Sequence, residues 1–289
     1  MSMIAFLAGC VGFAVCAPLV GCLLAGVDRK VSARMQGRVG PPLLQPYYDV
    51  CKLLSKERAA LNSSEGVLVG AALLFAVAAG GVFFAGGDVL LSIFAITLSG
   101  LLFIMAAYSS RSPYAEVGAA RECLQVLAYE PMLILMAVTF YLVTGSFTVS
   151  DAFALDAPAV VFAWPALLGL LFVLTIKLRK SPFDLSMSHH AHQEIVRGVT
   201  TEMSGRTLAL VEIMHWCENV LFLGWVGLFF LWGNPTSVAV AVLAALVTYV
   251  LEIAIDNNAA RVKWQAMVAG AWVVALVLGG INIAALAIM

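Results

Sequence analysis

Charge is what this chain has least of. Only 11% of its 289 residues are Asp, Glu, Lys or Arg, while 62% are hydrophobic. A soluble domain of that length carries far more charge, so a water-soluble fold is excluded. Grouped thiols are missing too. Cys10, Cys16, Cys22, Cys51, Cys123 and Cys217 form no CxxC pair and no ligand spacing. Iron–sulfur clusters need grouped thiolates, so none is expected within this chain, and the cysteines read as buried structural thiols. No HExxH zinc signature occurs, and no metal site or catalytic residue is expected. No basic residue precedes the first apolar run, which therefore reads as a retained helix and not as a removable signal. Neither a repeat nor a pair of broken helices of the inverted-repeat transporter type is evident.

What remains is apolar sequence in span-length runs. Eight are read at residues 3–27, 66–85, 89–107, 124–144, 159–176, 208–232, 237–255 and 264–289. The expected fold is an all-α membrane protein, a single transmembrane domain over residues 1–289. All sixteen Lys and Arg fall in alternate connections, at 29–58, 111–121, 177–206 and 261–263. That asymmetry puts the basic loops in the cytoplasm and both termini outside. The location implied is the cytoplasmic membrane of a prokaryote.

Against this background five carboxylates stand out. Glu130, Glu212, Glu218, Glu252 and Asp256 lie in or beside stretches that should cross lipid. An acid in the hydrocarbon region costs on the order of 3 kcal/mol or more, and such residues normally face a bundle interior or a hydrated cavity and mark ion paths. Some could instead only stitch helices together. Glu212, His215 and Glu218 follow at i, i+3 and i+6, with the first two ~60° apart around a helix. A His between two acids could take and release a proton near neutral pH. With Glu252 and Asp256 these groups, and Glu130, are the expected proton relay.

The basic connections carry further polar groups. Arg34, Gln36 and Arg38 cluster ahead of the helix-breaking Gly40-Pro41-Pro42. From Leu43 the apolar positions recur at helical spacing, which predicts a short amphipathic helix on the membrane surface or against a partner. Around Arg121, the residues Glu122, Gln125 and Tyr129 share a helical side and form a polar stripe running toward Glu130. After Pro182 a loop gathers Asp184, His189, His190, His192, Glu194, Arg197 and Glu202. Its expected role is contact with partners and proton steering, with Arg121, Arg179 and Arg261 as countercharges.

These connections resemble membrane subunit 1 of respiratory complex I. The matching pieces are Arg34-x-Gln-x-Arg-x-Gly-Pro41, Leu44-Gln-Pro-x-x-Asp-x-x-Lys-Leu-x-x-Lys-Glu57, Arg121-x-x-x-Gln125, Ala128-Tyr-Glu130, Pro182-Phe-Asp184, Glu194-Ile-Val-x-Gly198 and Glu202-x-Ser-Gly205. The departures point to one branch. An Asn-Arg-Val-Gly-Pro insertion is absent after Gly40-Pro41. The acid-rich stretch after Pro-Phe-Asp is replaced by Ser186-Met-Ser-His-His-Ala-His192, and Glu122 stands for a small residue. With Glu212-Ile-Met-His-Trp-x-Glu218 and Leu251-Glu-Ile-x-Ile-Asp-Asn257, the chain resembles the energy-converting membrane-bound [NiFe]-hydrogenase branch, of Ech or formate hydrogenlyase type.

The resemblance implies a non-catalytic subunit that anchors a hydrogenase module and couples ferredoxin-driven hydrogen evolution to proton or sodium movement. The nickel–iron centre and iron–sulfur clusters would sit in the large and small hydrogenase subunits. An antiporter-like membrane subunit and the lipid bilayer would complete the surroundings, and no nucleic acid is expected. Asp184, Glu194 and Glu202 would face the cluster-bearing subunit. The alternatives are the quinone-site subunit of a complex I-type enzyme, a standalone secondary ion transporter, and a purely structural anchor.

Overall fold

The structure is a computed structural model that describes residues 3–57, 63–180, 182–187 and 194–288. The helices are α1 (Met3–Met35), α2 (Gln45–Ser55), α3 (Ser63–Phe84), α4 (Val89–Ser109), α5 (Pro113–Thr144), α6 (Val160–Lys177), α7 (Gly205–Leu228), α8 (Ser237–Asn258), α9 (Trp264–Val274) and α10 (Ile281–Ile288). A π-helical turn, Ala275–Gly280, joins the last two into one span. Among the described residues eight helical stretches are long and apolar enough to cross a membrane. No strand occurs among them. The chain is an all-α, multi-pass membrane protein.

Helix α7 is the hub: 67% of its most apolar window is buried, against 28% for α8 and 22% for the last span. Its Trp225, Phe222 and Met214 meet a core completed by Phe103 and Ile93 of α4, Met132 and Met136 of α5, and Leu170 and Leu174 of α6, all under 2% exposed. The outward faces of α1, α8 and the last span carry exposed leucines, valines and isoleucines, as lipid-facing surfaces do.

Several helices run past the apolar runs. The fourth span starts at Pro113, not near residue 124, because Pro113 sits at the first helical position, where its fixed φ favours initiation. Arg121, Glu122 and Gln125 therefore lie on a helix and not in a loop. The first span likewise continues to Met35 and carries Asp28, Arg29 and Arg34 on its last turns. The surface helix begins at Gln45, two residues after the expected Leu43, with Pro46 opening it.

The four basic connections gather at one face and are tied by side chains. Gln36 donates to Asn257 at 3.1 Å, and Asn257 donates to Ser32 at 3.0 Å. Arg29 pairs with Asp49 at 2.6 Å. A single parallel bridge joins Phe183 and Val262, with Asp184 N–H donating to the Val262 carbonyl at 3.2 Å. The opposite face is held mainly by backbone bonds, such as Val89 N–H to Phe147 O and Val149 N–H to Gly87 O, both 2.9 Å.

Two glycines set close approaches at the basic face. A Cβ on Gly118 would stand 2.5 Å from Val199 N, so only glycine lets segment 194–199 lie on the start of α5. Gly205 opens α7 with φ 52°, and a Cβ there would meet the Glu57 carbonyl at 2.8 Å. That contact brings the end of α2 against the start of α7.

Candidate functional site

The site is built around the short basic turn that ends α6. Lys177, Arg179 and Lys180 occupy alternate sides of it, and Arg179 takes the left-handed φ of 56°, a conformation sparsely used by non-glycine residues. The turn separates two groups of acids.

The first group lies between α5, α6 and α7. Glu218, 7% exposed, stands 3.9 Å from the Arg179 guanidinium. The Lys177 ammonium rests 3.8 Å from the Tyr129 ring centroid and 5.0 Å from that of Phe222. Such cation–π contacts partly replace lost hydration. The charges acting on Lys177 are those of Glu218, Glu122, Arg179 and Glu130. Glu122 in turn accepts a hydrogen bond from Ser186 of the loop after α6.

The second group lies between α1, α6 and α8. Lys180, 5% exposed, pairs with Asp28, and its Nζ is 3.7 Å from Asp256. Glu252, one turn before Asp256, is 1% exposed and feels the charges of Lys180 and Asp256. Neither of its carboxyl oxygens has a hydrogen-bond partner among the described residues. Tyr249 closes this group, donating to the Leu24 carbonyl at 3.0 Å.

A third ionic knot covers the first group from the basic face. Asp184, 2% exposed, receives Arg261 at 2.9 Å and faces Arg121 at 3.8 Å. Glu194 receives Arg121 at 2.7 Å and faces Arg261 at 3.8 Å. The Arg121 hydrogen bond is the main reason that the Glu194 carboxyl lies below the usual carboxylate range. Arg121 also stacks 4.8 Å over the Trp264 ring. Ser186 and Asp184 belong to the same loop, so the segment that carries the knot also holds Glu122.

Comparison with known proteins places this arrangement. The NADH dehydrogenase family pattern matches residues 8–287. Hydrogenase-4 component C of Escherichia coli is 31% identical over 92% of this chain and 89% of its own length. A membrane subunit of the NADH-quinone oxidoreductase of Rubrobacter xylanophilus is 33% identical over 71% of each. This chain belongs to the NADH dehydrogenase subunit 1 family. Formate hydrogenlyase subunit 4 of Escherichia coli is 28% identical over 83% of this chain and 86% of its own length. A chain of the membrane-bound sulfane sulfur reductase, an archaeal respiratory membrane complex, superimposes with a TM-score of 0.84 over 97% of this chain and 99% of that one. At 22% identity it speaks to the fold alone.

Within this family member the expected relay residues do not form one line. Glu130 and Glu218 join the first group, and Glu252 and Asp256 the second. Glu212 joins neither. It lies six residues before Glu218, about 9 Å along the helix axis, and lines a surface groove with Arg29, Lys52 and Arg197. His215 does not bridge the two acids. Its ring packs edge-on against Phe103 with centroids 5.7 Å apart, and its Nε2 has no hydrogen-bond partner among the described residues.

The remaining expected residues sit at the basic face. Gln125 is buried and donates to the Arg121 carbonyl at 3.4 Å. Arg38 bonds to Gln36, Arg34 and Arg197 are exposed, and Glu202 is half-buried. His189, His190 and His192 lie outside the described residues. Sequence reading missed Lys177, Lys180 and Asp28, which look like ordinary loop or flanking charges. The signal that could have found them is the density of Lys177-Leu-Arg-Lys180 directly at a span end, which is more charge than orientation requires.

Proposed function

We propose that this chain is the membrane subunit of an energy-converting [NiFe]-hydrogenase assembly. It anchors the hydrogenase module and couples ferredoxin-dependent hydrogen evolution to movement of protons or sodium ions. Its basic face lies in the cytoplasm, where Asp184, Glu194 and Glu202 meet the cluster-bearing small subunit. The nickel–iron centre and clusters belong to the small and large hydrogenase subunits, and an antiporter-like membrane subunit continues the ion path.

The observation that carries this reading is the convergence of buried acids from α1, α5, α7 and α8 on one basic turn. Ionised groups at such depth persist only if paired, and their pairing energy depends steeply on small displacements. On this reading a redox-linked shift in the docked subunit pulls on Asp184 and Glu194. Arg121 and Ser186 move with that loop, which changes the field at Glu122. Glu122, Lys177 and Glu218 respond by passing a cation inward. The Lys177–Lys180 turn transmits the change to Asp28, Asp256 and Glu252.

A second reading is the quinone-site subunit of an NADH-quinone oxidoreductase, favoured by the 33% identity to the Rubrobacter xylanophilus protein. The native assembly decides between them. Mass spectrometry of the purified complex should find hydrogenase large and small subunits, and reduced ferredoxin should drive hydrogen evolution. An NADH-oxidising module and quinone-dependent turnover in their place would reject the hydrogenase reading.

A further inference from the structure

The groove between α1, α2 and the start of α7 takes no part in the two acid groups. Its volume is about 240 Å³. Lys52 and Lys56 of α2 and Arg197 of the preceding segment line it, and none of the three forms an ion pair among the described residues. Arg29 and Asp49 also line it but satisfy one another at 2.6 Å. One further carboxylate, Glu212, projects into the same space. The apolar wall is Val50, Leu53, Leu208 and Trp216.

The groove thus presents three uncommitted cations and one uncommitted anion within a few ångströms of apolar surface. It sits where α1 and α7 reach the basic face, beneath an amphipathic helix, at the level of lipid headgroups. Tryptophan is enriched at that level. A quinone ring carries no charge and would leave all four groups unanswered. A purely anionic headgroup would answer the cations but set a like charge beside Glu212. A zwitterion with a phosphate and a primary ammonium answers both.

We propose that this groove binds the headgroup of phosphatidylethanolamine. The phosphate sits against Lys52, Lys56 and Arg197, and the ammonium donates to the Glu212 carboxylate. The glycerol and first methylenes lie on Val50, Leu53, Leu208 and Trp216. The acyl chains follow the lipid-exposed Leu19, Val20 and Leu23 of α1. The bound lipid fastens α2 to α7, whichever reaction the assembly runs.

The test uses the intact purified assembly, stripped of lipid by detergent. It is then incubated with mixed micelles containing equal amounts of phosphatidylethanolamine, phosphatidylglycerol and phosphatidylcholine. Retained lipid is counted by native mass spectrometry. One phosphatidylethanolamine per chain should be retained, about fivefold over either competitor, as expected for one partly exposed ion pair. Phosphatidylcholine tests the ammonium contact without any variant, because its quaternary nitrogen has no N–H to donate. Glu212→Gln should erase the preference over phosphatidylglycerol, whereas Lys52→Ala combined with Arg197→Ala should lower retention of all three lipids about tenfold. Equal retention of the three lipids by the unmutated assembly overturns the proposal. So does an undiminished preference in Glu212→Gln, or recovery of a quinone from the groove.

Discussion

The two acid groups on either side of the α6 turn balance their charge differently. Toward α5 and α7, the acids Glu122, Glu130 and Glu218 face two cations, Lys177 and Arg179. Toward α1 and α8, Asp28, Glu252 and Asp256 share one, Lys180. Counted as fully ionised, the first group is one positive charge short and the second is two short. The first also has aromatic rings against its ammonium and a loop hydroxyl on Glu122. The second leaves both Glu252 oxygens without a hydrogen bond among the described residues. A buried region short of positive charge is where an incoming cation gains most. The first group is therefore suited to transmit, and the second to receive.

The largest expected effect breaks that difference directly. Lys180→Met removes the only ammonium shared by the second group and should cost about 3–5 kcal/mol of stability, the range for an uncompensated buried charge. Lys177→Met leaves Arg179 beside Glu218 and should cost about half as much. Thermal unfolding of the assembly in detergent checks both, and equal losses would erase the distinction between the groups. Next in size is a rescue. Adding Glu252→Gln to Lys180→Met should recover about 1–2 kcal/mol, since contacting charges couple by that amount in double-mutant cycles. Strict additivity would place Glu252 outside the group.

Two smaller tests concern the knot that covers the first group. Gly118→Ala should push segment 194–199 off α5 and cost about 1–3 kcal/mol, as overpacking does. Hydrogen exchange should rise in residues 194–199 and remain unchanged around α8. The smallest effect is set by pH. The Glu194 carboxyl is held below its ordinary range by the Arg121 hydrogen bond. Its contribution is thus fully present above the unfolded-state value and is lost as pH falls through the lower folded-state value. Protection of segment 194–199 should hold at neutral pH and weaken below about pH 4. Glu194→Gln should lack that acid step.

These comparisons show what the sequence could reveal. The eight spans were legible because apolar runs of membrane length need no tertiary information. Their ends were not. α1 continues through Asp28 and Arg29 to Met35, and α5 begins at Pro113, because charged residues stay helical when partners outside the lipid satisfy them. Glu218, Glu252 and Asp256 stood out as acids in apolar surroundings. Their partners did not. Lys180 meets Asp28 across 152 residues of chain, and both had ordinary explanations as flanking charges. His215 fitted a helical pattern with Glu212 and Glu218, yet spacing along one helix cannot show that Phe103 of α4 occupies the side it faces. The groove at Glu212 needed the fold of α2 onto α7, which rests on Gly205 and has no periodic signature.

The number of ions moved per electron pair, measured with the whole assembly reconstituted in sealed vesicles, is the most direct test of the buried acids as an ion path. Wild type should generate a gradient during turnover, recorded with a proton dye and a sodium electrode. Glu218→Gln and Glu252→Gln should each keep electron transfer while the ion yield falls at least tenfold, the loss of a required charge-bearing site. An unchanged yield per electron pair in both variants would contradict the path, and leave these carboxylates as ties between helices.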